Sequence, residues 1–415
     1  MATWDWRILA RRVAEVQRGR GPKPLAHYDL FLIQHVLDDL LELVKAFIEL
    51  GASPEAITVV GIPYSSRNDA AHALESLGCR VRLPQSFPFD AAVGVLLAEA
   101  ARASQHAGKK LIILEDGGYA VPAVSQLADL GQIDPQVIIG AVEQTSRGSR
   151  IDRQLQASKH LRIPVISVPD CNAKKEIEPP YIAEAVDRNL SAVLRNLGGA
   201  SPQTVGIYGF GVIGNRIALH LQRRGAHVLI SDISTDRAYE ATLRREFEIL
   251  RPEDIARCDL LIGNTGRMSI GLVQMRNLRA GAMLVSSSSR QVEIDVEWLY
   301  ENASPTLTGP SGPCVSPIPL YREFTYRDGS RSVVLLYDGY PINFSGRSLP
   351  DHVGDAILAL LLEGVVQLPS LTRTPLVYPG NEVLKDPDLE ISVMWKREKP
   401  NDGMDPWPRA PDAGP

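Results

Sequence analysis

Three groups of residues have the types and spacing for chemistry. The first is the stretch "TVGIYGFGVIGNRIALHLQRRGAHVLISDIS", with Gly209, Gly211 and Gly214 in GxGxxG spacing after a strand-like run, then an amphipathic helix pattern and a second strand ending in Asp232. Gly209 permits a tight turn, Gly211 lets a pyrophosphate approach the backbone, and Gly214 lets helix and strand pack closely. The helix start at Val212 and Ile213 offers unpaired N–H groups and the positive end of a dipole to phosphates. Asp232 can accept hydrogen bonds from ribose hydroxyls and would repel a 2′-phosphate, which selects NAD as the expected cofactor. A glycine-rich turn with no ligand is the bland alternative, and here strand, helix and acidic residue all fall where the motif requires.

The second group is Asp116 of "EDGG", which follows a four-residue apolar run and so sits at the C-terminal end of a strand, where α/β sites gather. As a bare turn aspartate it would mean little. The third is Lys174 and Glu178 in "CNAKKEIEPP", four apart and able to pair on one helical turn, with a surface ion pair as the alternative.

These groups need a scaffold, and the chain supplies one. Short β-rich runs alternate with helical patterns, among them "AITVVGIP", "KLIILEDG", "QVIIGAV", "IPVISVP", "DLLIGNT" and "AMLVSSS". Such alternation predicts parallel sheets flanked by helices, an α/β fold of two Rossmann-like domains. A capped helix pattern and Gly-Pro turn precede a fresh βαβ series at Thr204, which sets a boundary near Tyr181 to Arg195. The expected division is a substrate-binding domain over 1–182, an NAD-binding domain over 183–345, a return segment over 346–385 joined by hinge helices, and an extended tail over 386–415.

With 415 residues, 44% hydrophobic and 22% charged, the chain can bury a large core. A net charge of −5 with scattered basic residues argues against nucleic acid or anionic membrane as the main partner. No uninterrupted apolar run reaches the roughly 18 residues of a membrane span, so a cytoplasmic location is expected. The four cysteines form no CxxC pair and no metal-ligand spacing, so free thiols and no metal are expected.

"LEDGGYAVPAV", "IGAVEQTSRG", "IPVISVPDCNAKKEIEPPY", "GIYGFGVIG" and "VEIDVEWLYENA" together resemble the S-adenosylhomocysteine hydrolase (adenosylhomocysteinase) family, in order and spacing, over most of residues 25 to 365. The resemblance implies bound NAD⁺ that transiently oxidises a nucleoside 3′-hydroxyl, acidifying the neighbouring C–H so that the 5′ substituent leaves and water adds. It implies catalytic roles for His35, Asp116, Lys174 and Glu178. His35, in "IQHVLDD", is equally compatible with a helix-surface histidine. It further implies substrate contacts by Asp39, Gln144, Ser289 and His352, and a cofactor set of Thr145, Ser146, Arg147, Gly209, Gly211, Val212, Ile213, Gly214, Asp232, Asn264 and Asn343. The partner expected is a small, nucleoside-like substrate, and the family's habit implies a homo-oligomer, dimer or tetramer.

Departures from the family pattern bear on the reaction. Gln144 replaces a substrate-binding glutamate and cannot act as a base, though it can hydrogen-bond a sugar hydroxyl. Arg147 introduces a charge where the family has a hydroxyl. Pro179 and Ala183 replace an asparagine and a cysteine, and "NIGHFD" has become "SSSSRQ", so that Ser289 occupies a histidine position. His352 lies close to a second missing histidine without clearly aligning. The serine run thus marks an altered active-site edge more than a linker or a phosphate cradle. The expected enzyme oxidises a hydroxyl on a changed substrate, with elimination, hydration or epimerisation open to it. A silent NAD- or nucleoside-binding protein and a 2-hydroxyacid-type dehydrogenase are the alternatives.

Overall fold

A computed structural model describes residues 4–84, 88–198, 201–236, 239 and 247–400. Two sheets account for all named strands. The first holds β1 (Tyr28–Gln34), β2 (Ile57–Gly61), β3 (Arg80–Arg82), β4 (Lys110–Glu115), β5 (Ile138–Glu143), β6 (Val165–Ser167) and the late strand β15 (Val377–Pro379). Their order is β15-β6-β5-β4-β1-β2-β3, and every neighbouring pair is parallel. The near-continuous burial of β1, β4 and β5 is what helices on both faces of a parallel sheet require.

The second sheet holds β7 (Thr204–Tyr208), β8 (His227–Ser231), β9 (Glu248–Ile249), β10 (Leu260–Gly263), β11 (Ala282–Ser286), β12 (Ala303–Thr308), β13 (Tyr321–Tyr326) and β14 (Ser332–Leu336). Its order is β12-β13-β14-β11-β10-β7-β8-β9, parallel except for the antiparallel pairs β12–β13 and β13–β14. Each sheet therefore reverses its strand order beside its first strand, between β1 and β4 in one and between β7 and β10 in the other. Open α/β sheets bind ligands outside the carboxyl ends of strands at such points.

Two helices connect the halves. The helix Asn172–Asn196 leaves the first domain and packs against Val212–Arg223 of the second, and Asp351–Gln367 returns. The boundary expected near Tyr181 to Arg195 thus falls inside one continuous helix. The returning helix is long and apolar enough by composition to cross a membrane, yet 83% of its apolar window is buried in protein, packed by Arg7–Arg20, Asp38–Glu49 and Asn172–Asn196. It is a core helix, apolar all round because it is covered all round.

Several elements depart from expectation. β1, the central strand that ends just before His35, was not anticipated, and neither were the antiparallel strands β12 to β14. The tail expected to be extended from 386 is helical over Lys385–Glu398, with Ile391, Met394 and Trp395 buried; the remainder from 401 lies outside the described residues. This helix carries Asp388, which is 2% exposed and accepts from the N–H of Asn172 at 2.8 Å and of Ala173 at 2.8 Å. It caps the helix that bears Lys174 from a distant part of the chain. Asp388→Ala is expected to cost about 1–3 kcal/mol, the range for losing a buried cap, measurable as a lower midpoint in urea unfolding.

Candidate active site

β1 and β4 are paired in register through Ile33 and Glu115, and the Asp116 N–H donates to the Ile33 carbonyl at 3.0 Å. This registry brings His35 and Asp116, both just past the strand ends, to the reversal point of the first sheet. His35 Nε2 lies 3.5 Å from Asp116 Oδ2, and Nδ1 is 2.5 Å from Ser65 Oγ. The ring also packs on Phe344, centroids 4.2 Å apart, and edge-on against Tyr64. His35 is therefore a held strand-end residue and not a helix-surface one. Asp116 is 4% exposed, and its Oδ1 is buried without a hydrogen-bond partner among the described residues, as is Oε1 of Gln144.

Two buried glutamates, both unnoticed in the sequence, hold the loops around Asp116. Glu115 accepts from the N–H groups of Tyr119 (2.6 Å), Ala120 (2.6 Å) and Val121 (3.0 Å), closing the start of the helix Ala120–Asp129. Glu143 accepts from the N–H groups of Gly117 (3.2 Å) and Gly118 (3.0 Å) and from both N–H and Oγ1 of Thr145 (2.6 Å each). Burial raises both carboxyls, Glu143 well above the usual range, with the charge of Glu115 as its second cause. Gly148 is required here, since a Cβ would stand 2.1 Å from the Glu143 carboxylate. Thr145 caps the helix Ser146–Ala157 through Gly148 N–H at 3.0 Å, and Ser146 is exposed.

Lys174 is 8% exposed and donates to Glu178 Oε1 at 2.6 Å. Lys174 is buried and Glu178 half-buried, so this is not an exposed surface ion pair. Asp39 reaches its neighbour Leu40 N–H at 3.0 Å, and burial raises its carboxyl. His352 is buried among Trp4, Tyr181 and Trp395, with ring centroids 5.8, 5.2 and 6.4 Å away; these contacts, and not His35 or Asp116, define its surroundings.

On the second sheet the glycine loop follows β7. Gly209 has φ +93°, and a Cβ there would meet the Asn264 carbonyl oxygen at 2.4 Å, while one on Gly214 would meet the Gly209 carbonyl oxygen at 2.0 Å. Both glycines are demanded by the fold itself. A Cβ on Gly211 would meet no atom within 4 Å, and no side chain caps the helix that begins at Val212. Open space beside an uncapped helix start fits a dinucleotide pyrophosphate. Val212 is exposed and Ile213 half-buried. Asp232 accepts from Phe210 N–H at 2.7 Å and from Ser234 N–H at 2.9 Å, so it shapes the loop from the position where a ribose would lie. Asn264 Oδ1 accepts from Ser287 Oγ at 2.8 Å. Asn343 Nδ2 donates to Ser348 Oγ at 3.0 Å, and its carbonyl accepts from Asn189 Nδ2 at 2.7 Å.

The serine run is fastened here. Ser288 Oγ donates to Glu293 Oε1 at 2.6 Å, and the fully buried Glu293 also accepts from the N–H groups of Thr265 and Gly266 at 2.5 Å each. Ser289 is half-buried beside it. The next residue, Arg290, has φ +66° and crosses to the first domain. Its Nη2 donates to the Gly118 carbonyl at 2.9 Å, its guanidinium lies 3.3 Å over the Tyr119 ring, and its backbone N–H donates to the Tyr64 hydroxyl at 3.3 Å. Tyr64 in turn stacks on Tyr340, and Tyr337 donates its hydroxyl to the Tyr64 carbonyl at 2.7 Å. The strand ends of the first domain therefore meet the loop at Arg290 of the second across a shared aromatic seam. Sequence reasoning passed over Arg290 because its position within a serine run gave no sign of where it reaches.

Among the described residues no group of three or more histidine, cysteine or acidic side chains could hold a metal, and all four cysteines are free thiols.

A parallel sheet with an open glycine loop, an acidic second-strand end and a facing α/β domain defines an NAD-binding protein of the two-domain Rossmann class. Residues 195–348 match the model of the S-adenosyl-L-homocysteine hydrolase NAD-binding domain. An uncharacterized protein of Mycobacterium tuberculosis is 28% identical over 344 residues, covering 80% of this chain and 62% of that protein, so the chain spans less than two thirds of that relative. An adenosylhomocysteinase of Archaeoglobus fulgidus is 26% identical over 295 residues (68% of this chain, 67% of that one), and an S-inosyl-L-homocysteine hydrolase of Methanopyrus kandleri is 28% identical over 292 residues (68% and 64%). Over 195–348 the chain is thus similar to the NAD-binding domain of the adenosylhomocysteinases, and its cofactor is NAD.

Proposed function

We propose that the protein is an NAD-dependent enzyme that acts on a nucleoside-like substrate by transient oxidation of a hydroxyl, with elimination, hydration or epimerisation as the net change and a substrate other than S-adenosylhomocysteine. The observation that carries this reading is the His35–Asp116 pair at 3.5 Å, at the reversal point of one sheet, facing a domain whose own reversal point bears the dinucleotide loop. When bound, the nicotinamide supplies a reversible two-electron oxidation at a hydroxyl-bearing carbon. The chain's own groups supply the rest. The glycine loop, the helix start at Val212 and Asp232 hold the dinucleotide. Asp116, through its unpartnered Oδ1, accepts a substrate hydroxyl or proton, with His35 as the neighbour that passes a proton on. Lys174, held by Glu178, is the base at the hydroxyl being oxidised. Gln144 orients a sugar hydroxyl without taking its proton.

The test is to supply adenosine and inosine to the purified protein and follow the absorbance of reduced nicotinamide, with mass spectrometry of the small molecules released on denaturation. Appearance of reduced cofactor is expected. Bound NAD that no nucleoside reduces would instead make the protein a silent binder and sink the proposal.

A further inference from the structure

We propose that Arg147 and Arg290 together form a seat for an oxyanion, a phosphate or carboxylate, carried by the substrate. The inference rests on the functional reading above and narrows it to an anionic nucleoside-like compound.

The argument begins with how this protein treats a guanidinium it buries for structural reasons. Arg12 is 6% exposed and is matched by three carboxylates, those of Glu15, Glu363 and Glu390. The arginines at the cleft are matched differently. Arg290 has one carboxylate partner, Asp90 at 3.1 Å, whose side chain is 62% exposed, and such a pair neutralises little. A carbonyl and an aromatic ring position the Arg290 guanidinium without cancelling its charge, and its Nε is buried with no acceptor.

Arg147 stands on the first turn of the helix Ser146–Ala157, and its Nε is likewise buried with no acceptor among the described residues. Burial lowers its pKa, and the next cause is the charge of Arg290, so the two guanidinium groups repel each other. The groups that face them are Tyr119, Tyr64, Glu115, Asp90 and Arg150, and Arg150 spends its Nη2 on the Gly266 carbonyl at 2.8 Å. The Gly118 carbonyl that Arg290 holds belongs to the Asp-Gly-Gly turn that starts at Asp116, and a Cβ on Gly118 would stand 2.8 Å from the Cα of Gly148, the neighbour of Arg147, so both arginines stand beside the His35–Asp116 pair.

Two neighbouring arginines, each with a buried Nε that has no acceptor among the described residues, suit a phosphate or carboxylate, and binding one removes the repulsion between them. The dinucleotide diphosphate is a rival occupant, but the space beside Gly211 and the uncapped helix start already suit it. Both arginines stand where the resembling family has uncharged side chains, so the seat is a property of this chain.

The test uses the purified NAD-bound protein and calorimetry with adenosine, adenosine 5′-monophosphate and adenosine-5′-carboxylic acid, so that binding is read apart from turnover. One or both charged probes should bind roughly tenfold or more tightly than adenosine, and which one does so identifies the oxyanion. Arg147→Met and Arg290→Met should each erase that preference, with the NAD content measured alongside by mass spectrometry because the family resemblance groups Arg147 with the cofactor contacts. Because Arg290→Met also strips the Gly118 carbonyl of its donor, Arg147→Met decides the matter if the former does not fold. Equal affinity for charged and neutral probes overturns the proposal, as does loss of NAD from Arg147→Met with the preference intact. If no probe reduces the cofactor, the oxidation reading fails while the calorimetric preference still judges the seat.

Discussion

Lys174→Ala is expected to slow reduction of the bound cofactor by about 10²–10⁴-fold, the usual contribution of a positioned acid–base group, while NAD stays bound. Lys174 lies on the helix Asn172–Asn196 of the first domain, apart from the glycine loop, so its loss does not touch the dinucleotide contacts. It does leave Glu178, whose side chain is 18% exposed, without its partner. Part of any loss could then come from a destabilised helix, so Lys174→Met combined with Glu178→Gln serves as the comparison, because it removes the charge and the unpaired carboxylate together. A folded double variant that still fails to reduce cofactor assigns the defect to loss of the Lys174–Glu178 pair and not to a destabilised helix. Unchanged reduction in Lys174→Ala would show that the residue has no part in the chemistry.

The second large effect is expected at Gly211. A Cβ there meets nothing within 4 Å, and the backbone φ of −72° suits any residue, so Gly211→Val should fold with its secondary structure intact. The side chain then fills the space beside the helix start that the pyrophosphate needs. NAD content should fall by more than tenfold, and the thermal midpoint should lose the increment that a bound ligand adds by mass action. Gly214→Ala makes the contrast, because its Cβ would press on the Gly209 carbonyl oxygen at 2.0 Å and damage the domain itself. Full NAD occupancy in Gly211→Val would place the cofactor elsewhere.

The sequence was most informative where a local pattern carries its own physical reason. The GxGxxG spacing predicted the tight turn after β7 that the structure has at Gly209, and the alternating runs located most of the parallel strands. Asp116 was placed at a strand end by the apolar run before it. What escaped depended on partners far away in the chain. "YDLFLIQ" is an apolar run as good as its neighbours, but without it the strand pairing that brings His35 to Asp116 could not be seen. The helix Lys385–Glu398 was hidden by a composition rich in charge and proline, and only its docking on the helix of Lys174 explains why it is ordered. Glu115 and Glu143 read as the polar ends of strands, and nothing local announces that each gathers several backbone N–H groups. The same holds for Arg290, whose neighbours in sequence belong to one domain and whose contacts belong to the other.

The late pairing of β15 with β6 has a consequence for how the protein is made. Val377 to Pro379 close an edge that Val165 to Ser167 leave open, and the whole nucleotide domain is synthesised between them. While the chain emerges from the ribosome, β6 is therefore a bare sheet edge for the time it takes to translate some two hundred residues, exposed to pairing with other nascent chains. Asn189 shortens the gap in space, since its Nδ2 donates to the carbonyl of Asn343 at 2.7 Å and pins the exit of the inserted domain to its entry. Once that staple forms, the final strand is delivered beside its partner and does not have to search for it.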